Sequence, residues 1–343
     1  MNQLLIQQTI QKLQADQPIS REQSEKVFSL IMRGEVSPAQ IGALLMGITV
    51  RGETAELLAG AAQAMRVAAT RIRPNATGLL DTCGTGGDGA STFNISTAVS
   101  ILVASCGQPV AKHGNRAISS KSGAADVLEA LGVKLELTPE QVEKCIDEVG
   151  IGFLFAPNLH PAMRHAGPVR RELGIRTIFN ILGPLTNPAH AEYQLLGVYA
   201  EDKLEPVADT LKKLGVKRAL VVHGRDGLDE ITTTNITDAF LVEEDSDIEP
   251  FEIDPSAFGM PYATPKALKG GDASYNAEII KHIFAGQVGA ARDIVLLNAG
   301  SALWVAQRVD SIGNGIAMAA QSLDSGEAAK TLAALIKFTN SQS

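Results

Sequence analysis

Three short apolar runs, "LLDTC" (79–83), "PVAK" (109–112) and "GFLFA" (152–156), are separated by polar loops and helix patterns. Helical patterns cover 96–106, "AADVLEALG" up to Gly132, and a stretch opened by Thr138-Pro139 that runs to about Val149. Strands this short and this apolar, each followed by a helix, fit a parallel sheet covered on both faces. Right-handed crossovers then put the loops that follow the strands on one edge. "YQLLGVY", "RALVVHG" and "EITTT" read as further strands. "GGDASYN" at 270–276 reads as a second loop opening a helix.

The first 70 residues show no such strands. Ile6, Ile10 and Leu13 fall at helical spacing, Ser20 with Gln23 suggests a capping box, and Gly34 a stop. Ser37-Pro38 with Gln40 opens another helix and Thr54 a fourth. "RIRPNATG" (71–78) reads as a linker, and 160–192 as helices and a loop that return to the first segment. The expected fold class is α/β: a small all-helical domain, residues 1–70 joined by helices from about 160–190, beside a large α/β domain, 75–343, with a mainly parallel central sheet.

The loop after the first strand, "DTCGTGGDGASTFNIST" (81–97), carries four glycines in the six residues from Gly84 to Gly89. It matches G-x-G-x-x-G, yet the acidic residue that a dinucleotide site needs about 20 positions later is missing from "ASCGQPVAKHGN". No G-K-[ST] closes it as a P-loop. Glycines nonetheless let backbone N–H groups approach an anion, and Asn94, Ser96 and Thr97 fall at a helix N-terminus, where free N–H donors favour negative charge. The same residues would also make an ordinary tight turn.

A second loop, "KHGNRAISSKSG" (112–123), follows the next strand with Lys112, His113, Asn115, Arg116, Ser119, Ser120 and Lys121. Two anion-friendly loops on one edge of an open sheet point to a phosphate-bearing ligand. "HGRDGLDEITTT" (223–234) adds the neighbouring carboxylates Asp229 and Glu230. Beside a di- or triphosphate they suit Mg²⁺, which takes one or two carboxylates plus phosphate oxygens and water. Adjacent residues do not flank a sugar at the about 5–9 Å that a glycosidase pair requires.

These stretches, with "HPAMRHAGPVRRELGIRTIFNILGPLTNP" (160–188), resemble the anthranilate phosphoribosyltransferase family of tryptophan biosynthesis, in order and essentially end to end. The resemblance implies a nucleoside phosphorylase-like fold and a homodimer. It implies transfer of the phosphoribosyl group of 5-phosphoribosyl diphosphate to the amine of anthranilate, with Mg²⁺, two ions, as cofactor. By position, it implies a donor site of Gly84, Gly87, Asp88, Thr92, Asn94, Ile95, Ser96, Thr97, Lys112, Ser119 and Ser120. It places anthranilate near Gly84, Asn115, Arg170, His113 and His160, and the metal on Ser96, Asp229 and Glu230. Lys112 suits a departing diphosphate, and His113 is the general-base candidate by residue type. Arg170 offers a guanidinium fork to a carboxylate.

Net charge of −8 and the lack of a long basic run argue against nucleic acid as partner. No apolar run approaches the roughly 20 residues of a membrane span, and the N-terminus is too polar for a signal peptide. Three cysteines without C-x-x-C spacing fit a reducing cytoplasm. Two alternatives remain: a pyrimidine nucleoside phosphorylase, and a non-catalytic nucleic-acid-binding relative. Association with anthranilate synthase is left open by the resemblance.

Overall fold

A computed structural model gives the fold, and the structure describes residues 2–117 and 121–342. Four helices come first: α1 (Asn2–Gln14), α2 (Arg21–Met32), α3 (Pro38–Arg51) and α4 (Ala55–Ala68). Their starts follow local chemistry. Ser37 and Gln40 form a reciprocal capping box with Pro38 at the first turn, and Thr54 accepts the Leu57 N–H. Ser20 caps α2 through the Gln23 N–H, but the Gln23 side chain turns to Thr9 and Lys12 of α1 instead of closing a box.

The strands and covering helices follow: β1 (Leu80–Gly84), α5 (Ile95–Ser105), β2 (Val110–Gly114), α6 (Ala124–Ala130), α7 (Pro139–Val149) and β3 (Ile151–Phe155). Short helices α8 (Ala156–Leu159), α9 (Gly167–Leu173) and α10 (Phe179–Leu185) interrupt the alternation. It resumes with β4 (Tyr193–Gly197), α11 (Leu204–Lys213) and β5 (Arg218–Gly224), and two more strands, β6 (Thr237–Glu243) and β7 (Glu249–Ile253). Helices α12 (Ala273–Phe284), α13 (Ala290–Val305), α14 (Ile312–Asp324) and α15 (Glu327–Ser341) close the chain.

The seven strands order as β3-β2-β1-β4-β5-β6-β7. The first five run parallel, and β6 and β7 join antiparallel. From β1 the chain builds outward to β3 on one side and then to β5 on the other, which leaves a crevice beyond the end of β1, the usual ligand position in such sheets. "EITTT" is not a strand. Its amides are taken by side chains, Ile231 N–H by Asn298 Oδ1 at 3.0 Å and Thr232 N–H by Thr237 Oγ1 at 3.0 Å, so no ladder forms.

One apolar cluster packs α5, α6 and α12–α15 against the sheet. Nine of the eleven residues of α5 are buried, so its position is set on all sides and its N-terminus cannot wander. A second cluster joins α1–α4 to α9, α10 and α11 on the opposite face. There Phe28 of α2 meets Phe179 of α10 edge-on at 5.9 Å, a contact worth about 1 kcal/mol beyond its burial. No helix among the described residues is long and apolar enough to cross a membrane.

Candidate active site

The site begins with a defect in the sheet. β2 pairs with β3 from Val110 to Gly114, and β1 with β4 from Leu80 to Gly84, but β1 and β2 register only at Leu80 and Val110. Beyond that point the backbone ladder stops, and side-chain hydrogen bonds take its place. His113 donates its backbone N–H to Asp81 Oδ1 at 3.1 Å, and Asn187 Nδ2 donates to Asp81 Oδ2 at 2.7 Å and to the Ala111 carbonyl at 2.8 Å. Lys112 Nζ donates to the Thr82 carbonyl at 2.7 Å and to Ser96 Oγ at 3.4 Å. Asp81 is fully buried, and desolvation raises its pKa to about 6 against the opposing pull of Lys112. Burial likewise lowers the pKa of Lys112, while Asp81 acts to hold it up.

The glycine loop leaves β1 in left-handed backbone, with φ of 69° at Gly86, 77° at Gly87 and 75° at Gly89, a region that a side chain would strain. Gly86 N–H donates to Asp229 Oδ2 at 2.6 Å. A Cβ on Gly84 would strike that same carboxyl, which is why a glycine stands there. Ser96 N–H, in the first turn of α5, donates to Glu230 Oε1 at 3.1 Å. Desolvation first, then the charges of Asp88 and Glu230, raise the pKa of Asp229 well above its ordinary value. Desolvation carries Glu230 to about 7 although Lys112 opposes it. Negative groups held this close call for a cation, so the donor set fits Mg²⁺. Among the described residues no three His, Cys, Asp or Glu side chains gather as a complete cage, and phosphate oxygens and water would have to complete the shell.

Not every expected side chain faces this space. Thr97 is 1% exposed and its hydroxyl has no partner, so only its backbone is placed to serve a ligand. Ile95 is buried as the first residue of α5. Asn94 does not cap α5; its Nδ2 donates to the Ser122 carbonyl at 3.2 Å and its Oδ1 accepts from Asn276 Nδ2 at 2.9 Å. Thr92 bridges to Lys269, which brings the "GGDASYN" turn beside the glycine loop. Asp88 is half-buried and accepts the Ala90 N–H. Asn115 is exposed and accepts the Arg116 N–H. Ser119 and Ser120 lie outside the described residues.

Along α10 lies a second group. His113 Nδ1 contacts the Gly183 carbonyl at 3.2 Å, and its Nε2 lies 3.1 Å from His160 Nε2. Because a carbonyl only accepts, His113 carries its proton on Nδ1, and His160 must then donate from Nε2. Burial lowers the pKa of His113 to about 3 and that of His160 to about 4, so both are neutral at pH 7. Arg170 lies over Phe179, 5.1 Å from its centroid, with no anion paired to it among the described residues. Phe179 and Gly183 are one helical turn apart, so Arg170 and His113 address the same face of α10.

Family models match along the chain: a glycosyl transferase family helical bundle domain over residues 7–69, and a glycosyl transferase family a/b domain over 76–329. An anthranilate phosphoribosyltransferase from Acetivibrio thermocellus is 49% identical over 337 residues, covering 98% of this chain and 97% of that protein. One from Trichlorobacter lovleyi is 50% identical over 350 aligned residues, covering 98% and 100%. The chain belongs to the anthranilate phosphoribosyltransferase family. Solved structures agree. Anthranilate phosphoribosyltransferase from Thermus thermophilus superposes with a TM-score of 0.91 at 42% identity over 97% of this chain and 99% of its own. The Saccharomyces cerevisiae member, solved in complex with PRPP and Mg, gives 0.90 at 26% identity over 98% of each chain.

Three residues that the structure brings to the site, Asp81, Asn187 and Asn276, carried no role in the sequence. Asp81 left one signal, a charge inside an apolar strand. The two asparagines lie in stretches the sequence singled out, 160–188 and 270–276, but only the fold shows which groups they meet.

Proposed function

We infer that this chain transfers the phosphoribosyl group of 5-phosphoribosyl diphosphate to the amine of anthranilate, releasing diphosphate, in tryptophan biosynthesis. The observation that carries it is the convergence of the glycine loop, the α5 N-terminus, Lys112 and the Asp229–Glu230 pair on one sheet edge. The donor's diphosphate would lie against the loop N–H groups and α5. Asp229, Glu230 and Ser96 would hold Mg²⁺, which when bound neutralises charge on diphosphate. The two carboxylates look to different segments, Gly86 and Ser96, which supports two ions.

Lys112 is a buried cation fixed beside Ser96 and offsets charge on the departing diphosphate. The acceptor lies toward α10, where Arg170 would take its carboxylate. His113 has its proton committed to Gly183 and a pKa of about 3, which makes it a poor base. An arylamine is a neutral nucleophile at pH 7, so Lys112, Arg170 and the loop accelerate transfer by placement and charge compensation. The neutral His pair orients and excludes water. The Arg170 guanidinium, unpaired among the described residues, suits a carboxylate-bearing acceptor.

We place the boundary between the helical and α/β domains at the 71–78 linker. Self-association as a homodimer is supported by α3, whose exposed face carries Ala43, Met46 and Val50 at helical spacing, with Met46 45% and Val50 70% exposed. Three free thiols support the cytoplasm as its compartment. Loss of anthranilate fluorescence tests the reaction: it should require both the diphosphate donor and Mg²⁺ and stop with EDTA. A folded protein that leaves the signal unchanged would refute it.

A further inference from the structure

Arg176 has no part in the roles above. It stands exposed in the turn between α9 and α10, yet it is held at three points. Its Nη2 donates to the Gly87 carbonyl at 2.5 Å. Its guanidinium carbon lies 4.6 Å from the centroid of the Tyr199 ring. Its own carbonyl accepts from Thr49 Oγ1 of α3 at 3.5 Å. Tyr199 in turn donates its N–H to Thr85 Oγ1 at 3.0 Å, and Thr85 N–H reaches the Gly197 carbonyl at 2.9 Å. The contacts close a circuit through the glycine loop, the end of β4, the α9–α10 turn and α3.

The loop needs outside help to hold its shape. Gly86 and Gly87 have no side chains to fix their peptide planes, and glycine reaches many backbone conformations. Asp229 fixes the Gly86 N–H. Among the described residues, Arg176 is the only donor to the Gly87 carbonyl. In a trans peptide the carbonyl and the following N–H point opposite ways, so Arg176 also turns the Asp88 N–H away from itself.

We propose that Arg176 is a positioning residue for the phosphoribosyl donor: it sets the Gly87–Asp88 peptide, and so ties the shape of the donor loop to the segment that carries Arg170. This rests on the reading of the glycine loop as the donor site. Arg176 acts through the loop and not by touching the donor, and Tyr199 is the platform that keeps its guanidinium in place.

The test compares the full chain with Arg176→Met, Arg176→Lys, Tyr199→Leu and the Arg176→Met/Tyr199→Leu double variant, by steady-state kinetics and by hydrogen exchange over residues 84–91. Arg176→Met should raise the KM for the donor about tenfold, the size expected for one charge-assisted hydrogen bond. The KM for anthranilate and kcat should stay within about twofold, and exchange in the loop should quicken. Arg176→Lys should recover most of the loss. Tyr199→Leu should shift the donor KM in the same direction, and the double variant should be no worse than Arg176→Met alone. A folded Arg176→Met protein with wild-type donor KM and wild-type exchange would overturn the proposal. So would a raised donor KM with unchanged exchange and a silent Tyr199→Leu, since Arg176 would then be touching the donor itself. If Arg176→Met does not fold, Arg176→Lys and Tyr199→Leu decide the matter by the same readouts. A wild-type chain that consumes no anthranilate would instead refute the reading of the site, before any variant is compared.

Discussion

In the region proposed as the donor site, Asp88, Asp229 and Glu230 crowd negative charge against Lys112 at the end of β1. In the region proposed for the acceptor, along α10, the two histidines are neutral and Arg170 has no anion paired to it among the described residues. The first region is built with charge in excess, the second with one cation lacking a partner. A donor side of this kind binds only with its counter-ions, so its defects should appear as lost turnover. An acceptor side of the second kind supplies one directed contact, so its defects should appear as lost affinity for one substrate.

The sharpest way to break that contrast is to empty the donor side. Asp229→Ala with Glu230→Ala should lower kcat on the order of a thousandfold and flatten its Mg²⁺ dependence, read by anthranilate fluorescence. Unchanged turnover would remove the pair from the site. On the acceptor side, Arg170→Ala should raise the KM for anthranilate about a hundredfold while the donor KM moves less than about threefold. Equal losses for both substrates would erase the distinction between the regions.

The seam between the regions makes a smaller, structural prediction. Asn187→Ala strips a donor from buried Asp81 and from the Ala111 carbonyl at once. It should cost about 3 kcal/mol in urea denaturation. A cost near zero would mean that β1 and β2 hold together by packing alone.

The smallest effect is in pH. His113 and His160 titrate near 6.5 unfolded but at about 3 and about 4 folded, so the unfolded chain binds more protons between those values. Their contribution to stability is complete above about pH 6.5 and is lost as pH falls toward 4. Asp81, raised to about 6, acts the other way: its burial costs stability as pH rises from about 4 to 6. The melting temperature of His113→Asn should therefore fall less steeply than wild type between pH 6.5 and 4. Parallel slopes would mean that the histidine is not buried neutral.

Much of this molecule was legible in one dimension. Strand–loop–helix alternation announced a parallel sheet, and Ser37, Thr54 and Thr138 marked helix starts that the structure keeps. Glycines 84, 86, 87 and 89 marked a loop with unusual backbone, because glycine adopts without strain the left-handed angles found at three of them. "EITTT" misled because threonine favours strands, yet its hydroxyls and those of its neighbours also satisfy backbone groups locally, and there they do so.

What the sequence by itself determined is the local grammar: most of the helices and the parallel strands, where several of them begin, and which loops can face an anion. These depend on periodicity, capping and backbone freedom within a few residues. What only the tertiary structure decided is the company each group keeps. Asp81 meets Asn187, separated from it by 106 residues, and Gly86 meets Asp229 across 143. Arg176 reaches Gly87 across 89. The pKa shifts, the interrupted ladder between β1 and β2 and the neutrality of the histidine pair all follow from burial and from such distant neighbours. No short-range pattern encodes them, because desolvation and Coulomb interactions depend on distance in space and not along the chain.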